Sequence, residues 1–195
     1  MFCGAQFSLY PMTDNFVRVI AGSVSAIKGR DGLRVESDDL STLVVGPPQA
    51  VFAAVRDAYA SACRHAGHVV LSATFSQGCP GEGDDPICTP DPPKSGKAGP
   101  AAPQAGEKLS IEVAAQFALY PLGIASHMDV IYREIGQTKK TGVYTRGKHF
   151  CSRLDGDLGA VFAAFERAFE SAAHDAGHVV LTATVSKGSP SPDTR

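Results

Sequence analysis

The sequence predicts an α+β protein built as a tandem duplication of a ferredoxin-like (βαββαβ, ACT-like) domain. Three observations support this fold. The chain repeats itself at a spacing of 110 residues, the hydrophobic period changes in the same order within each copy, and a Pro- and Gly-rich segment separates the copies. The length of 195 residues fits one or two domains of roughly 100 to 150 residues each.

The duplication is visible in long matching strings. AQFSLYPM from Ala5 matches AQFALYPL from Ala115, and AGHVVLSATFSQGCP from Ala66 matches AGHVVLTATVSKGSP from Ala176. Between positions 50 and 80, 19 of 31 residues are identical after the shift. We therefore divide the chain into a first repeat (1–80), a linker (81–110) and a second repeat (111–195).

The linker is poor in groups that could build a core. It contains 6 Pro and 5 Gly in 30 positions, and its large aliphatic side chains are Ile87 and Leu109. So little apolar surface cannot offset the entropy of ordering, which favours a flexible or extended segment. Such a segment permits almost any mutual arrangement of the two repeats.

The first half of each repeat reads as a strand followed by a helix. Polar and apolar residues alternate over 6–10 and again over 116–120, which is typical of a half-buried strand. A helical spacing follows, with Thr13 or Asp14 as the predicted cap in the first copy and a Ser126/Asp129 capping box in the second. The apolar residues at that spacing are Val17, Ile20, Val24 and Ile27, then Met128, Ile131 and Ile135.

In the second half of each repeat the pattern predicts two short strands, a helix and a final strand. The strands at 33–37 and 40–45 flank a turn at Asp38 and Asp39. A helix is predicted over 48–65, with Gly67 as its left-handed stop, before a strand over 68–76. This order is the split βαβ unit of the ferredoxin-like fold.

Composition excludes several function classes. The 18 basic residues nearly balance the 20 acidic ones, so the chain lacks the basic footprint of a nucleic-acid binder. It has no secretory signal pattern and no apolar run of about 20 residues, which predicts a cytoplasmic protein without membrane insertion. The five Cys form no CxxC pair and indicate a reducing compartment without a zinc site.

The alternation of the outer strands predicts a polar open face. In this fold the helices cover one side of the sheet, so the apolar side of each strand should face them. The other side then carries the candidate ligand-binding residues Gln6, Ser8, Tyr10, Thr74 and Ser76, and in the second repeat Gln116, Tyr120, Thr184 and Ser186. A face with one aromatic ring and several hydroxyl and amide groups suits a small-molecule cavity or a polar sheet-to-sheet interface.

Five segments are distinctive strings: AQFSLYPM (5–12), ESDDLST (36–42), SQGCPG (76–81), AAQFALYPLGI (114–124) and RLDGD (153–157). In this order they resemble the YkoF-type proteins, a family of binders of thiamin and its hydroxymethylpyrimidine precursor. The resemblance implies a homodimer without catalytic activity or cofactor, with one pocket in each repeat for thiamin or hydroxymethylpyrimidine. With the middle strands included, the candidate set also contains Ser41, Ser152 and Asp155.

The same residues also have purely structural interpretations. Tyr10-Pro11 and Tyr120-Pro121 can simply end a strand, and the Thr and Ser residues can reflect strand propensity. His68 and His178 are expected to be structural, and the sequence contains no nucleophile motif or phosphate loop. The alternative function is therefore a structural or regulatory module whose open sheets only mediate oligomerisation.

The two predicted pockets differ in charge. Positions 34–45 sum to −2, whereas positions 144–155 sum to +2, with Lys148 and Arg153 among the basic residues. The first repeat should therefore favour cationic thiamin and the second a phosphorylated ligand. If the open-face assignment holds, Thr74→Ala should weaken binding by about 0.5 to 1.5 kcal/mol.

Overall fold

A computed structural model describes residues 3–78 and 106–191. The first repeat comprises β1 (Cys3–Pro11), α1 (Phe16–Ser25), β2 (Arg34–Ser37), β3 (Thr42–Gly46), α2 (Pro48–His65) and β4 (Val69–Gln77). The second comprises β5 (Glu112–Leu122), α3 (His127–Thr138), β6 (Tyr144–Gly147), β7 (Ser152–Asp157), α4 (Leu158–Ala173) and β8 (His178–Lys187). A short 3-10 turn, Lys139–Thr141, follows α3. The element order confirms two ferredoxin-like repeats.

The two repeats share one antiparallel sheet. Its eight strands run in the order β2-β3-β1-β4-β8-β5-β7-β6, so each repeat contributes the ferredoxin-like order and the last strands meet at the centre. Ala73 of β4 lies opposite Ala183 of β8, and these two positions are equivalent in the duplication. The pairing therefore places a pseudo-twofold axis at the middle of the sheet, a relation that the linker composition did not predict.

The predicted alternation separates the two faces of the sheet. In β1, Ala5, Phe7 and Leu9 are buried, whereas Gln6 and Tyr10 are exposed. The apolar face packs under the helices, and the core is continuous between the repeats because Phe52 of α2 stacks on Phe75 and meets Phe169 of α4. The opposite face is the open face of the sheet.

Two predicted helix boundaries differ in detail. The N-cap of α1 is Asn15, not Thr13 or Asp14, and Ser126 is the N-cap of α3 but its side chain makes no capping hydrogen bond. Gly67 does not stop α2 in a left-handed conformation, because Ala66 already leaves the helix with extended dihedral angles. The helix itself spans Pro48–His65, as the hydrophobic pattern predicts.

The junction of the repeats is held by close backbone contacts and one lysine. Gly78 has a φ of 77°, and a Cβ there would lie 1.7 Å from the carbonyl oxygen of Gly177. The equivalent Gly188 approaches the carbonyl oxygen of Gly67 in the same way. Lys187 Nζ donates to the carbonyl oxygens of Cys63 and Ala66 at 2.8 and 3.1 Å, so a cation of the second repeat stabilises the C-terminus of α2.

Most of the predicted linker lies outside the described residues, which resume at Gly106. The segment that follows is anchored, since the backbone N–H groups of Leu109 and Ile111 donate to the carboxylate of Asp157. Within residues 3–78 and 106–191, each helix is too short or too polar to span a membrane.

Candidate functional site

The predicted open-face residues form rows across the middle of the sheet. One row contains Gln6, Thr74 and Thr182, and the next contains Ser8, Thr184 and Gln116. Each set of hydroxyl and amide groups is thus contiguous, as the strand registers require. Ser76 lies one row further along, where its hydroxyl is 3.4 Å from Nε2 of His178.

An open-face cavity of about 590 Å³ lies on the second repeat. Four predicted ligand-binding residues line it: Gln116, Asp155, Thr184 and Ser186. Several of its polar and charged side chains are hydrogen-bonded to one another. Arg153 forms a bidentate pair with Asp155, with bonds of 2.9 and 2.8 Å, and Lys148 Nζ donates to Gln116 Oε1 at 2.8 Å.

A second kind of cavity lies at the outer end of β1, between this strand, α1 and the turn that joins β2 to β3. We call it the first edge cavity, and its volume is about 890 Å³. Ser8, Tyr10 and Ser41 of the predicted set line it, together with Phe16 and Ile20 of α1. The Ser8 hydroxyl donates to the carbonyl oxygen of Leu40 at 2.8 Å, which ties the strand to the turn.

The second repeat carries the equivalent cavity, the second edge cavity, between β5, α3 and the β6–β7 turn. Its volume is about 290 Å³. Tyr120 and Ser152 of the predicted set line it, with Ile131 of α3 and Phe150 of the turn. Ser152 lies opposite Phe117 and is buried on the helix side, so it belongs to this cavity and not to the open face.

Both edge cavities exist because the neighbouring strand is shorter than β1 or β5. In the described chain, β3 pairs with β1 only from Cys3 to Phe7, and β7 pairs with β5 only from Glu112 to Phe117. Beyond these points one edge of each central strand faces the cavity. Backbone N–H and C=O groups on such an edge can hydrogen-bond a ligand in place of a strand.

The turns at the two cavity mouths carry opposite charges. Asp38 and Asp39 line the first edge cavity, and at the equivalent positions Lys148 and His149 line the second. Hydrogen bonds from the backbone N–H groups of Ser41 and Leu40 lower the pKa of Asp38, so this carboxylate stays ionised at neutral pH.

Large apolar side chains are exposed at the same turns. Leu40 is 80% exposed and the equivalent Phe150 is 91% exposed. Each of them lines the mouth of its edge cavity. Leu40 shares its cavity wall with the exposed Phe16 and Val17, and Phe150 shares its wall with the exposed Met128 and Tyr132. A group of exposed apolar side chains is typical of a surface that contacts a ligand or a partner.

Glu134 is a buried acid at the second edge cavity. It is 2% exposed, and its Oε1 accepts hydrogen bonds from Arg133 Nε at 2.7 Å and Ser171 Oγ at 2.8 Å. The caps of α1 and α3 align Asn15 with Ser126, which makes Ser23 the counterpart of Glu134. Ser23 is also buried, but its hydroxyl has no hydrogen-bond partner within the described chain. Glu134 lines the second edge cavity, whereas Ser23 is not among the residues that line the first, so the two cavities differ in their walls as well as at their mouths.

Two buried cysteines of the described chain, Cys3 and Cys63, offer little reactivity. Burial raises the pKa of Cys3 to about 12 and that of Cys63 to about 11, so both thiols are protonated at neutral pH. Cys151 is half-buried in the wall of the second edge cavity. Among the described residues, no group of three His, Cys, Asp or Glu side chains could hold a metal ion.

Sequence reasoning missed the helix contribution to both edge cavities. Helical spacing places the apolar residues of α1 and α3 in the core, yet Val17 and Met128 are exposed beside the cavities. The available signal was the turn itself, where Leu40 and Phe150 are large apolar residues in an otherwise polar segment. Glu134 could have been noticed because it interrupts the apolar face of its helix.

Fold and site together define a class: a tandem ferredoxin-like protein with a ring-sized cavity at the same edge of each repeat. The family model described as the YKOF-related family matches residues 2–82 and 112–192, that is, both repeats. The chain is also 36% identical over 196 residues to a Bacillus subtilis (strain 168) protein named "Putative HMP/thiamine-binding protein YkoF", with 98% of this chain and 93% of that protein covered. The chain belongs to the YKOF-related family.

Proposed function

We propose that this protein binds thiamin or its hydroxymethylpyrimidine precursor without converting it, with one binding site in each repeat. The observation that carries the proposal is the duplication of the edge cavity, which equivalent segments of the two repeats form at equivalent places. The name of the Bacillus subtilis relative supports the same ligand class. The edge cavities of about 890 and 290 Å³ lie close to or within the range of roughly 300 to 1,000 Å³ typical of ligand pockets.

An aminopyrimidine fits the chemistry of these cavities. Its ring places nitrogen acceptors beside an amino donor, which can pair with the N–H and C=O groups on the exposed edge of β1 or β5. Tyr10 and Tyr120 are 50% and 45% exposed at the cavities and can stack on a planar ring. The proposal thus places the ligand beside Ser8, Tyr10 and Ser41 in one repeat and beside Tyr120 and Ser152 in the other.

Calorimetric titration with thiamin and with hydroxymethylpyrimidine tests the proposal. We expect two sites per chain in the wild-type protein. Tyr10→Ala should weaken the first site by about 1 kcal/mol, the usual value of an aromatic contact, and leave the second unchanged. An absence of binding heat at millimolar ligand would refute the binding function.

Thr74→Ala is the matched control for Tyr10→Ala. Thr74 is exposed on the open face of the same repeat and is not among the residues that line the first edge cavity. We expect its affinity to equal that of the wild type. If Thr74→Ala weakened binding and Tyr10→Ala did not, the ligand would lie on the open face, as the strand alternation alone suggested.

We further propose that the chain forms a homodimer through its open face. In the described chain all four helices lie on the opposite side, so this face exposes a band of Thr, Ser and Gln together with Tyr10 and Tyr120. Light scattering should give about twice the mass of 20.4 kDa. Thr182→Arg at the centre of the face should give the monomer mass, whereas Gln137→Arg on the exposed surface of α3 should not change the dimer.

A further inference from the structure

We infer that the second edge cavity selects the phosphate ester of an aminopyrimidine alcohol over the alcohol itself, whereas the first does not. This inference rests on the proposed binding function and adds a preference for one ligand class. Two features of the second edge cavity carry it: the cation of Lys148 in the β6–β7 turn, which accounts for the selectivity, and the buried carboxylate of Glu134, which holds the pyrimidine end of the ligand.

Glu134 provides an acceptor for the amino end of the ligand. All hydrogen bonds of its carboxylate to described residues use Oε1, although the side chain is buried and lines the cavity. Oε2 is therefore left to accept from a ligand, and an amino group on a pyrimidine is a suitable donor. Arg133 and Ser171 hold the carboxylate in place, so the acceptor is preorganised.

Lys148 provides a cation for the opposite end of the ligand. It is exposed in the β6–β7 turn, where it lines both the second edge cavity and the open-face cavity, and its ammonium group donates to a neutral acceptor of the open-face cavity, Gln116 Oε1. A phosphate oxygen is a stronger partner than an amide oxygen, because the bond then joins two opposite charges. Lys139 lies 5.6 Å from the ring of Tyr144, another residue of the cavity wall, and adds positive charge nearby.

The first edge cavity lacks both features. The counterpart of Glu134 is Ser23, and the turn carries Asp38 and Asp39 against a single lysine, Lys28, which lies in the turn after α1. A phosphate group would meet two carboxylates there and be repelled. The same carboxylates favour a cationic ring such as the thiazolium of thiamin.

Because the chain contains no Trp, a single introduced Trp reports ligand binding at one cavity through its fluorescence. Phe150→Trp and Leu40→Trp place one fluorophore at equivalent positions at the mouths of the second and first edge cavities. Each reporter is titrated with hydroxymethylpyrimidine and with its phosphate ester. We expect the ester to bind about tenfold more tightly than the alcohol at the Phe150→Trp reporter, and no more tightly at the Leu40→Trp reporter.

Two further substitutions in the Phe150→Trp protein separate the roles of the charges. Lys148→Gln should abolish the preference for the ester, whereas Lys140→Gln, a nearby lysine outside the cavity wall, should retain it. In Glu134→Gln the amide oxygen can still accept hydrogen bonds from Arg133 and Ser171, but an NH2 donor replaces the Oε2 acceptor that faces the ligand. This substitution should weaken the binding of both compounds to the same extent and leave the ratio of their affinities unchanged. Thermal melting checks that the variant is folded.

Equal affinity for ester and alcohol at the Phe150→Trp reporter would overturn the inference and leave the proposed function standing. A preference that survives Lys148→Gln would also overturn it. No response to either compound at either reporter, together with no binding heat, would overturn the proposed function as well.

Discussion

Asp157 shows how one side chain joins the end of the linker to the second repeat. Its carboxylate caps α4 by accepting from the N–H of Gly159 at 2.9 Å, and it also accepts from Leu109 and Ile111 at 3.1 and 3.2 Å. Burial alone would raise the pKa of this carboxyl, but the backbone donors outweigh burial and lower it. The ionised form is therefore part of the folded structure.

Asp157→Ala should destabilise the protein by about 2 kcal/mol, since it removes a helix cap and leaves backbone donors without an acceptor. Because the folded pKa lies below the unfolded one, this contribution is present above the unfolded value and is lost as pH falls toward the folded value. Urea denaturation at neutral and acidic pH measures it, with Asp39→Ala as the exposed control. A penalty as large for Asp39→Ala would contradict the assigned role.

Single residues also mark how far the sequence could locate the site. Alternation places Gln6, Thr74 and Thr184 on the open face, because a strand has a period of two whatever its neighbours are. It cannot show that β3 stops pairing at Phe7, which is what creates the first edge cavity. The length of the β1–β3 pairing depends on the residue at which the β2–β3 turn begins. The position of that residue is set by the competition between hydrogen bonds within the turn and those between the strands.

At the scale of elements, the contact between α2 and α4 joins the helical layers of the two repeats. Two acids of α4 lie near this contact. Burial raises the pKa of Glu166 to about 7, and repulsion by Glu170 contributes, although Arg56 acts in the opposite direction. Burial also raises the pKa of Glu170, with His174 and a hydrogen bond from Gln49 of α2 opposing it.

Glu166 makes the stability of this contact depend on pH. The folded state retains a proton on Glu166 up to about pH 7, whereas the unfolded state releases it near the ordinary glutamate pKa of 4.5. The free energy of unfolding should therefore fall as pH rises from 4.5 to 7 and stay lower above that range.

Glu166→Gln should remove this fall and stabilise the protein at pH 8 by on the order of 1 kcal/mol, a value discounted for partial exposure. Chemical denaturation at pH 5 and pH 8 gives the comparison. Arg167→Gln, an exposed change one residue along α4, is the control. Equal pH dependence in wild type and Glu166→Gln would rule out this origin of the effect.

The elements themselves could be predicted well, because each has a strong local signal. Pro48 at the first position of α2 and the apolar face that follows specify that helix from the sequence alone. The cap of α1 is harder to place, since Thr13, Asp14 and Asn15 are all residues that favour caps, and tertiary packing selects among them. Local chemistry thus identifies a helix more securely than its first residue.

At the scale of the whole molecule, the decisive feature is the pairing of β4 with β8. Composition of the linker left the arrangement of the repeats open, and the strings that determine it are the repeated AGHVVL and the Gly that ends each last strand. Gly78 meets Gly177 and Gly188 meets Gly67, so each contact joins one repeat to the other. Because the two repeats carry the same segments, the same pair of glycine positions forms both of these contacts, and the junction is symmetric.

Gly78→Ala should be among the most destabilising single changes in the chain. An alanine there would have to adopt a φ of 77°, and its Cβ would lie 1.7 Å from a backbone carbonyl oxygen that cannot move without separating β4 from β8. Left-handed strain alone costs roughly 1 to 2 kcal/mol, and the backbone clash adds to it, so we expect a loss of about 3 kcal/mol or more.

Gly22→Ala is the matched control, because Gly22 lies in α1 and a methyl group there would have no atom within 4 Å. This change should therefore stabilise the protein by about 0.5 to 1 kcal/mol. Hydrogen exchange locates the effect: in Gly78→Ala the amides of β4 and β8 should lose protection before those of β1 and β5. Uniform loss of protection across the sheet, or a penalty no larger than that of an exposed substitution, would show that the junction is not what holds the two repeats together.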